Sequence, residues 1–297
     1  MLFRSRLTAR GYSEAITFGF TDPALQRKLC GDIKTIALRN PIASTLSVMR
    51  ASLWPGLLQA AQENLRRQRE RVRLFEISTR FLRAVDGSVQ EQRMVAGIAA
   101  GSRLPEQWGD TRNQGDFYDL KADVDAVLAL NGNAHLYRPG TTLTCLHPGR
   151  SAQIVRDGSV IGQLGELHPA LVRDFDLTYP LLVFELDYLA ATQNAPVWLA
   201  PICSLPQIRR DISFTVAVDK TFSHIAERVS VAASTRLHEL RVFDIYSGDG
   251  VEIGRKSVAL GLILQDLSRT LTDADADGVV AAVCADLRSS LDARIRE

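Results

Sequence analysis

Apolar positions recur along this chain with two different periods, and each change of period marks an element. Leu57, Leu58, Ala61 and Leu65 fall three and four residues apart, the spacing of one apolar helical face. Ser52 supplies a hydroxyl for the first orphan amides and Pro55 suits a first turn, so a helix is predicted from Ser52. A shorter helix is expected from Phe3 to Gly11, with Gly11 as its stop, followed by a strand from Glu14 to Phe20. Thr21 or Asp22 caps a helical turn opened by Pro23, and Thr35 to Leu38 is a short strand before the turn Asn40-Pro41. Residues Arg73 to Ile77, Arg80 to Arg83 and Met94 to Ala100 are strand-like, with Asp86-Gly87 as a hairpin turn. Asp116 to Leu130 turns helical, with Leu120, Val124, Val127 and Leu128 on one side. A second hairpin joins Ala152–Arg156 to Ser159–Leu164 through Asp157-Gly158, and Leu182 to Leu186 is a further strand.

The irregular stretch 194–201, with two prolines, predicts a linker, taken as 196–204 between domains at 1–195 and 205–297. Beyond it Ile212, Phe214, Val216 and Val218 alternate with Ser213, Thr215 and Ala217. A helix from Ser223 to Ser234, strands from Leu237 to Tyr246 and Lys256 to Leu264, and a helix from Thr272 to Leu291 follow. With a closing strand in the last residues, the order β-α-β-β-α-β is that of a ferredoxin-like domain.

Composition changes this picture little. The 297 residues carry 46% hydrophobic and 23% charged side chains, enough for two ordinary cores. Lys plus Arg is 35 and Asp plus Glu is 34, so no global field draws the chain to nucleic acid or membrane, and any RNA contact must be local. From Leu205 onward there are 12 Lys and Arg against 14 Asp and Glu, a formal net of −2. No apolar run reaches the roughly 20 residues needed to span a bilayer, and the start Met1-Leu2-Phe3-Arg4 opens no signal peptide. A soluble, cytoplasmic protein with no membrane partner is expected.

Catalytic motifs are hard to find. The chain has no phosphate-binding GxxxxGK[ST], no GxSxG elbow and no HExxH. Cys30, Cys145, Cys203 and Cys284 are far apart, and neither Cys145-x-His147 nor His147 with His168 makes a credible metal set, so no metal site is expected. The histidines are read as turn residues before ordered elements. The run Arg66, Arg67, Arg69, Arg71 and Arg73 is either a solvated helix end or a nucleic-acid patch.

Several segments together resemble a family. Gly11-Tyr-Ser-Glu-Ala-Ile-Thr-Phe18, Asn40-Pro-Ile42, Leu46-Ser-Val-Met-Arg50, Leu53-Trp-Pro-Gly-Leu57, Leu74–Ile77, Asp116–Lys121, Leu146–Ala152 and Gly165–Pro169 resemble, in order, the bacterial phenylalanyl-tRNA synthetase β subunits. Arg209–Phe214, Val242–Tyr246, Gly254–Ser257 and Arg269–Thr272 are similar to the ferredoxin-fold anticodon-binding domain of that subunit. The resemblance implies an α+β chain: a class II aminoacyl-tRNA synthetase-like antiparallel sheet with helices, then a ferredoxin-like βαββαβ domain. It also implies that a tRNA-binding module, an editing module and a magnesium-associated segment of the full subunit lie outside this chain.

A working class II site needs arginines for the ATP phosphates. The matching strand here reads Arg73-Leu-Phe-Glu76, with the wrong spacing, and the stretch Gly162 to His168 offers Glu166 and His168 where an arginine is expected. The resemblance therefore implies a catalytically silent domain without a cofactor of its own. ATP and magnesium serve the whole enzyme, and the partners are a catalytic α subunit, in an α2β2 heterotetramer, and tRNA(Phe). The alternative is a self-contained class II-like enzyme that adenylates a small molecule. Candidate α-subunit contacts are Arg50, Leu53, Trp54 and Leu57. Candidate RNA contacts are the basic residues at strand ends, Arg209, Arg210, Arg255, Lys256, Arg294 and Arg296, with Phe243 or Tyr246 stacking on bases; alternation does not decide which ring faces out. Ser213, Thr215, Ala217, Ala259 and Gly261 suggest a flat sheet face, and Arg209-Arg210 are expected at the opposite end of it from Arg255-Lys256.

Overall fold

A computed structural model describes residues 2–109, 113–131, 134–193 and 202–296. The chain divides into two compact units, Met1–Trp198 and Leu199–Glu297. The expected linker falls almost wholly outside the described residues.

The first unit runs α1 (Leu2–Ala9), β1 (Ser13–Glu14), β2 (Phe20–Thr21), α2 (Pro23–Cys30), β3 (Val48–Met49), α3 (Trp54–Arg66), β4 (Arg71–Arg83), β5 (Val89–Gly101), α4 (Phe117–Leu128), β6 (Leu136–Pro139), β7 (Leu146–Arg156), β8 (Ser159–Leu167), α5 (Pro169–Asp174), β9 (Leu181–Asp187) and α6 (Tyr188–Thr192). Seven strands form one sheet in the order β1-β4-β5-β9-β8-β7-β6, antiparallel except for β1 against β4. The apolar run Met94–Ala100 is continuous because β5 is buried on both faces. Val95 and Ala99 pack in the core that includes α1 and α4, whereas Met94, Ala96 and Ile98 pack in the one that includes α2 and α3.

The local signals act largely as their chemistry dictates. Asp116 and Asp119 form a reciprocal capping box on α4, and Asp22 accepts from the amides of Ala24 and Leu25 at the start of α2. Asp157 and Gly158 both take positive φ, 50° and 77°, as a tight hairpin between β7 and β8 requires. Three expectations need correction. The strand expected over Glu14–Phe20 is broken, pairing only at Ser13–Glu14 and Phe20–Thr21, and leaves Ile16 and Phe18 exposed. Thr35–Leu38 makes a single bridge from Ala37 to Val48. Val218 lies beyond the strand that ends at Ala217 and is exposed.

The second unit follows the order β10 (Ile208–Ala217), α7 (Phe222–Ala233), β11 (Leu237–Tyr246), β12 (Arg255–Leu264), α8 (Asp273–Leu291) and β13 (Arg294–Arg296). Its four-stranded antiparallel sheet is ordered β11-β12-β10-β13, the ferredoxin-like arrangement. Its core joins β10 and β12 to α7 and α8 through Phe214, Val216, Leu260, Val229, Val283 and Leu287. No helix among the described residues is long and apolar enough to cross a membrane.

Candidate nucleic-acid interface

Successive side chains of a strand point to opposite faces, so burial and register together place each residue of the second sheet. Ile212, Phe214 and Val216 on β10 and Val258, Leu260, Leu262 and Leu264 on β12 are buried in the core with the helices. Their neighbours Arg209, Asp211, Ser213 and Thr215, and Ser257, Ala259, Gly261 and Ile263, therefore occupy the helix-free face. Strand β13 sets Arg296 opposite Ser213 and Arg294 opposite Thr215, which puts both arginines on that face. Strand β11 sets Arg241 opposite Gly261 and Tyr246 opposite Ser257, on the same face again.

Phe243 sits in a register shift between Val242 and Asp244. The extra residue turns its ring to the helix-free side, where the Arg209 guanidinium lies 5.6 Å from the ring centroid. Gly261 makes this contact feasible. A Cβ there would stand 3.1 Å from Asp211 Oδ1 and 3.3 Å from Arg209 Nε, so the bare backbone lets the Arg209–Asp211 pair lie across β12. Phe243 and Tyr246 remain 54% and 45% exposed, enough ring surface to stack on a base.

The arginines of this face are already paired, but at exposed positions. Arg209 donates to Asp211 at 2.8 Å, Arg241 to Glu239 at 2.6 Å, Arg294 to Glu252, and Arg296 to the Gly250 carbonyl at 3.2 Å. The Glu239 contact holds Arg241 above its ordinary range, and Arg241 holds Glu239 below the usual carboxylate range. Exposed pairs of this kind contribute little to stability, so exchanging a carboxylate for a phosphate costs little.

Strand alternation separates Arg210 and Lys256 from this group, whereas Arg255 shares the parity of the helix-free residues and is set apart by its own bonds. Arg210 points to the helix side, where Asp273 and Asp277 at the N-terminal end of α8 accept from it at 2.6 and 3.0 Å. Lys256 also points that way, donating its Nζ to the carbonyls of Val218 and Lys220 at 3.1 and 2.6 Å, and burial lowers its ammonium below the ordinary range. Arg255 is only 10% exposed and ties β12 to the Thr215 carbonyl and to Asp292. Arg209-Arg210 and Arg255-Lys256 do stand at opposite ends of the sheet, since Arg209 faces Ile263 and Ala217 faces Arg255 across the ladder. The structure thus brings together Arg209, Arg294, Arg296, Phe243 and Tyr246, and leaves Arg210, Lys256 and Arg255 in intramolecular roles. Arg241 joins this face without any signal in the sequence, because only its pairing with Gly261 fixes its side.

In the first unit, the proposed subunit-contact residues are interior. Leu53 and Leu57 are fully buried, Trp54 is 2% exposed and donates its indole N–H to the Phe184 carbonyl at 3.0 Å, and Arg50 is 3% exposed. The sequence motif placed these side chains on a surface; an apolar stripe of a helix in fact seals against its own sheet. His147 and His168 act locally, each Nδ1 accepting a backbone N–H, from Gly149 and Ala170 respectively.

Residues 2–188 match the family model of the phenylalanyl tRNA synthetase beta chain CLM domain. The chain belongs to this β-chain family. Residues 203–296 match the ferredoxin-fold anticodon binding domain, so both units of the fold fall within one family architecture. Named relatives, each a phenylalanine–tRNA ligase beta subunit, are similar along almost all of the chain. That of Methylococcus capsulatus is 42% identical over 292 residues, covering 98% of this chain and 37% of the relative. That of Pseudomonas syringae pv. tomato is 41% identical over 296 residues, covering 99% and 37%. That of Aromatoleum aromaticum is 40% identical over 299 residues, again covering 99% and 37%. The chain therefore spans about 37% of the length of the curated relatives it matches. A solved pyrrolysyl tRNA synthetase, Desulfitobacterium hafniense PylSc, is similar with a TM-score of 0.48 and 14% identity, covering 64% of each chain.

Proposed function

We propose that this chain is a non-catalytic part of phenylalanine–tRNA ligase, working in the cytoplasm. Its second unit binds the anticodon stem of tRNA(Phe), and its first unit scaffolds a catalytic α subunit in an α2β2 assembly. The whole enzyme would charge tRNA with phenylalanine, using ATP and magnesium held outside this chain. The observation that carries this reading is the helix-free face of the second sheet. Exposed arginines on β10, β11 and β13 flank two half-exposed aromatic rings over a floor of Ser213, Ala259 and Gly261. Rings stack on splayed bases, arginines hold phosphates, and a floor without large side chains admits the backbone closely.

The test is tRNA(Phe) binding by the assembled enzyme across a salt series. Arg294→Ala and Arg296→Ala should each weaken binding and lower the salt slope by about one unit. Arg210→Ala, on the opposite side of the sheet, should leave the slope unchanged. A wild-type slope in the folded Arg294→Ala/Arg296→Ala double variant would remove the helix-free face from the interface.

A further inference from the structure

Arg71, the first residue of β4, lies between two adjoining cavities in the first unit. One, of about 450 Å³, is lined by Arg10, Arg71, Arg73, Arg103, Asp119 and Asp123 among others. The other, of about 390 Å³, shares Arg71, Leu104 and Pro105 with it. Both fall in the size range of small-molecule pockets.

The ions of the larger cavity do not balance: four arginines face two aspartates. Asp123 is heavily used, taking Arg73 at 2.6 Å, Arg10, and the Tyr12 hydroxyl at 2.8 Å. Asp119 caps its own helix, accepting from the Asp116 amide at 3.0 Å, and Arg103 stands 4.0 Å from it. Asp123 acts on Arg71 only through its charge, without an ion pair among the described residues. The Nε of Arg71 is buried without a hydrogen-bond partner. Burial first, and Arg73 second, disfavour its charge.

The backbone makes room for the guanidinium. Gly11 ends α1 with φ +82°, and a Cβ there would stand 3.0 Å from Arg71 Nη2 and 3.2 Å from Nη1. The guanidinium rests in the space that a side chain at Gly11 would fill. A buried donor without an acceptor costs folding free energy unless something compensates it. A guanidinium with an unsatisfied buried donor, in a cavity with excess positive charge, is complementary to an anion.

We infer that the cavity at Arg71 is a binding site for the phosphate group of a small phosphate monoester, anchored by Arg71 with Arg103 at the rim. A phosphate dianion matches the excess of two positive charges, and a guanidinium fork presents paired donors to its oxygens. The cavity is larger than phosphate alone, and the ridge of Leu104 and Pro105 gives the organic remainder an apolar wall leading to the second lobe. That lobe sets Glu70 and Glu106 beside Arg69, so the phosphate belongs in the arginine-rich one.

The experiment measures the unfolding temperature of the full chain against inorganic phosphate, with acetate and chloride at matched ionic strength, and phosphate affinity by calorimetry. Phosphate should raise the transition saturably, beyond the effect of either control. Arg71→Gln should weaken phosphate binding by about tenfold or more, the loss expected for one charge-assisted contact. Arg103→Gln, at the exposed rim, serves as a second variant if Arg71→Gln does not fold, and should also weaken binding. Equal shifts with acetate would overturn the phosphate assignment in favour of a carboxylate site. An absent phosphate effect, or one unchanged in the folded variants, would overturn the site itself.

Discussion

Glu76 accepts from three groups at once: Arg50 Nη1 at 2.9 Å, Thr17 Oγ1 at 2.7 Å and the Thr17 amide at 3.3 Å. Arg50 in turn donates to the carbonyls of Thr79 and Phe18 and to the Ser78 hydroxyl. Both side chains are almost wholly out of water. Removing one partner strands the other as a buried charge, so Arg50→Ala should destabilise the first unit by about 3–5 kcal/mol. Trp54→Ala should cost a similar amount, about 3–5 kcal/mol, through the cavity it leaves and the lost hydrogen bond to Phe184. Denaturant unfolding of the purified chain measures both; losses below about 1 kcal/mol would mean that neither residue anchors the interior. The sequence marked Leu57 as part of an apolar helical face, with Leu53 and Trp54 leading into it. It did not tell a face that meets the chain's own sheet from one that meets a partner, because the same side chains suit either. Arg209 and Arg210 carry the complementary lesson. They are neighbours in sequence but sit on opposite faces of the sheet, one over Phe243 and the other against Asp273 and Asp277.

Helix α8 begins with a complete capping box between Thr272 and Asp275. Thr272 accepts from the Asp275 amide, while Asp275 accepts from the Thr272 amide and hydroxyl and from both terminal nitrogens of Arg269. Arg269 foremost, then the Thr272 amide, holds the Asp275 carboxyl below the ordinary range. A carboxyl depressed in the folded state contributes stability above its unfolded pKa of about 4 and loses it as pH falls through the folded value. Asp275→Asn should therefore lower the unfolding temperature at neutral pH, and the gap from wild type should close as the pH falls below the carboxylate range. A gap independent of pH would show that the charge contributes nothing. The neighbouring strands were less legible. Alternation in β10 is regular, so its buried and open faces follow from the residues alone. In β11 the shift at Phe243 breaks the alternation, and only pairing with β12 shows that Phe243, Arg241 and Tyr246 share a face. The segment between β1 and β2 has a strand-like composition but finds no partner strand along most of its length, so composition overstated it.

At the scale of the whole chain, the first unit is a synthetase-family domain in which several charged residues are buried and paired within the chain. The positions expected to hold ATP phosphates are occupied by intramolecular partners. Arg73 is bound to Asp123, Glu76 to Arg50, Glu166 to Arg150 at 2.8 Å, and His168 caps α5. A triphosphate entering there would have to break buried pairs, and Glu76 and Glu166 would repel it. The site at Arg71, by contrast, is sized for one small phosphate ester. It follows that the isolated chain should show no phenylalanine-dependent ATP–pyrophosphate exchange, and that exchange should appear when the α subunit is supplied. Phosphate binding at Arg71 should be measurable in the same preparation, which separates anion binding from catalysis and shows that the inactive chain is folded. If the isolated, α-free chain exchanged pyrophosphate at a rate well above background, the alternative of a self-contained adenylating enzyme would replace the scaffold reading. Glu76→Gln would then be the first variant to examine, since the buried pair with Arg50 would have to open for the phosphates to enter.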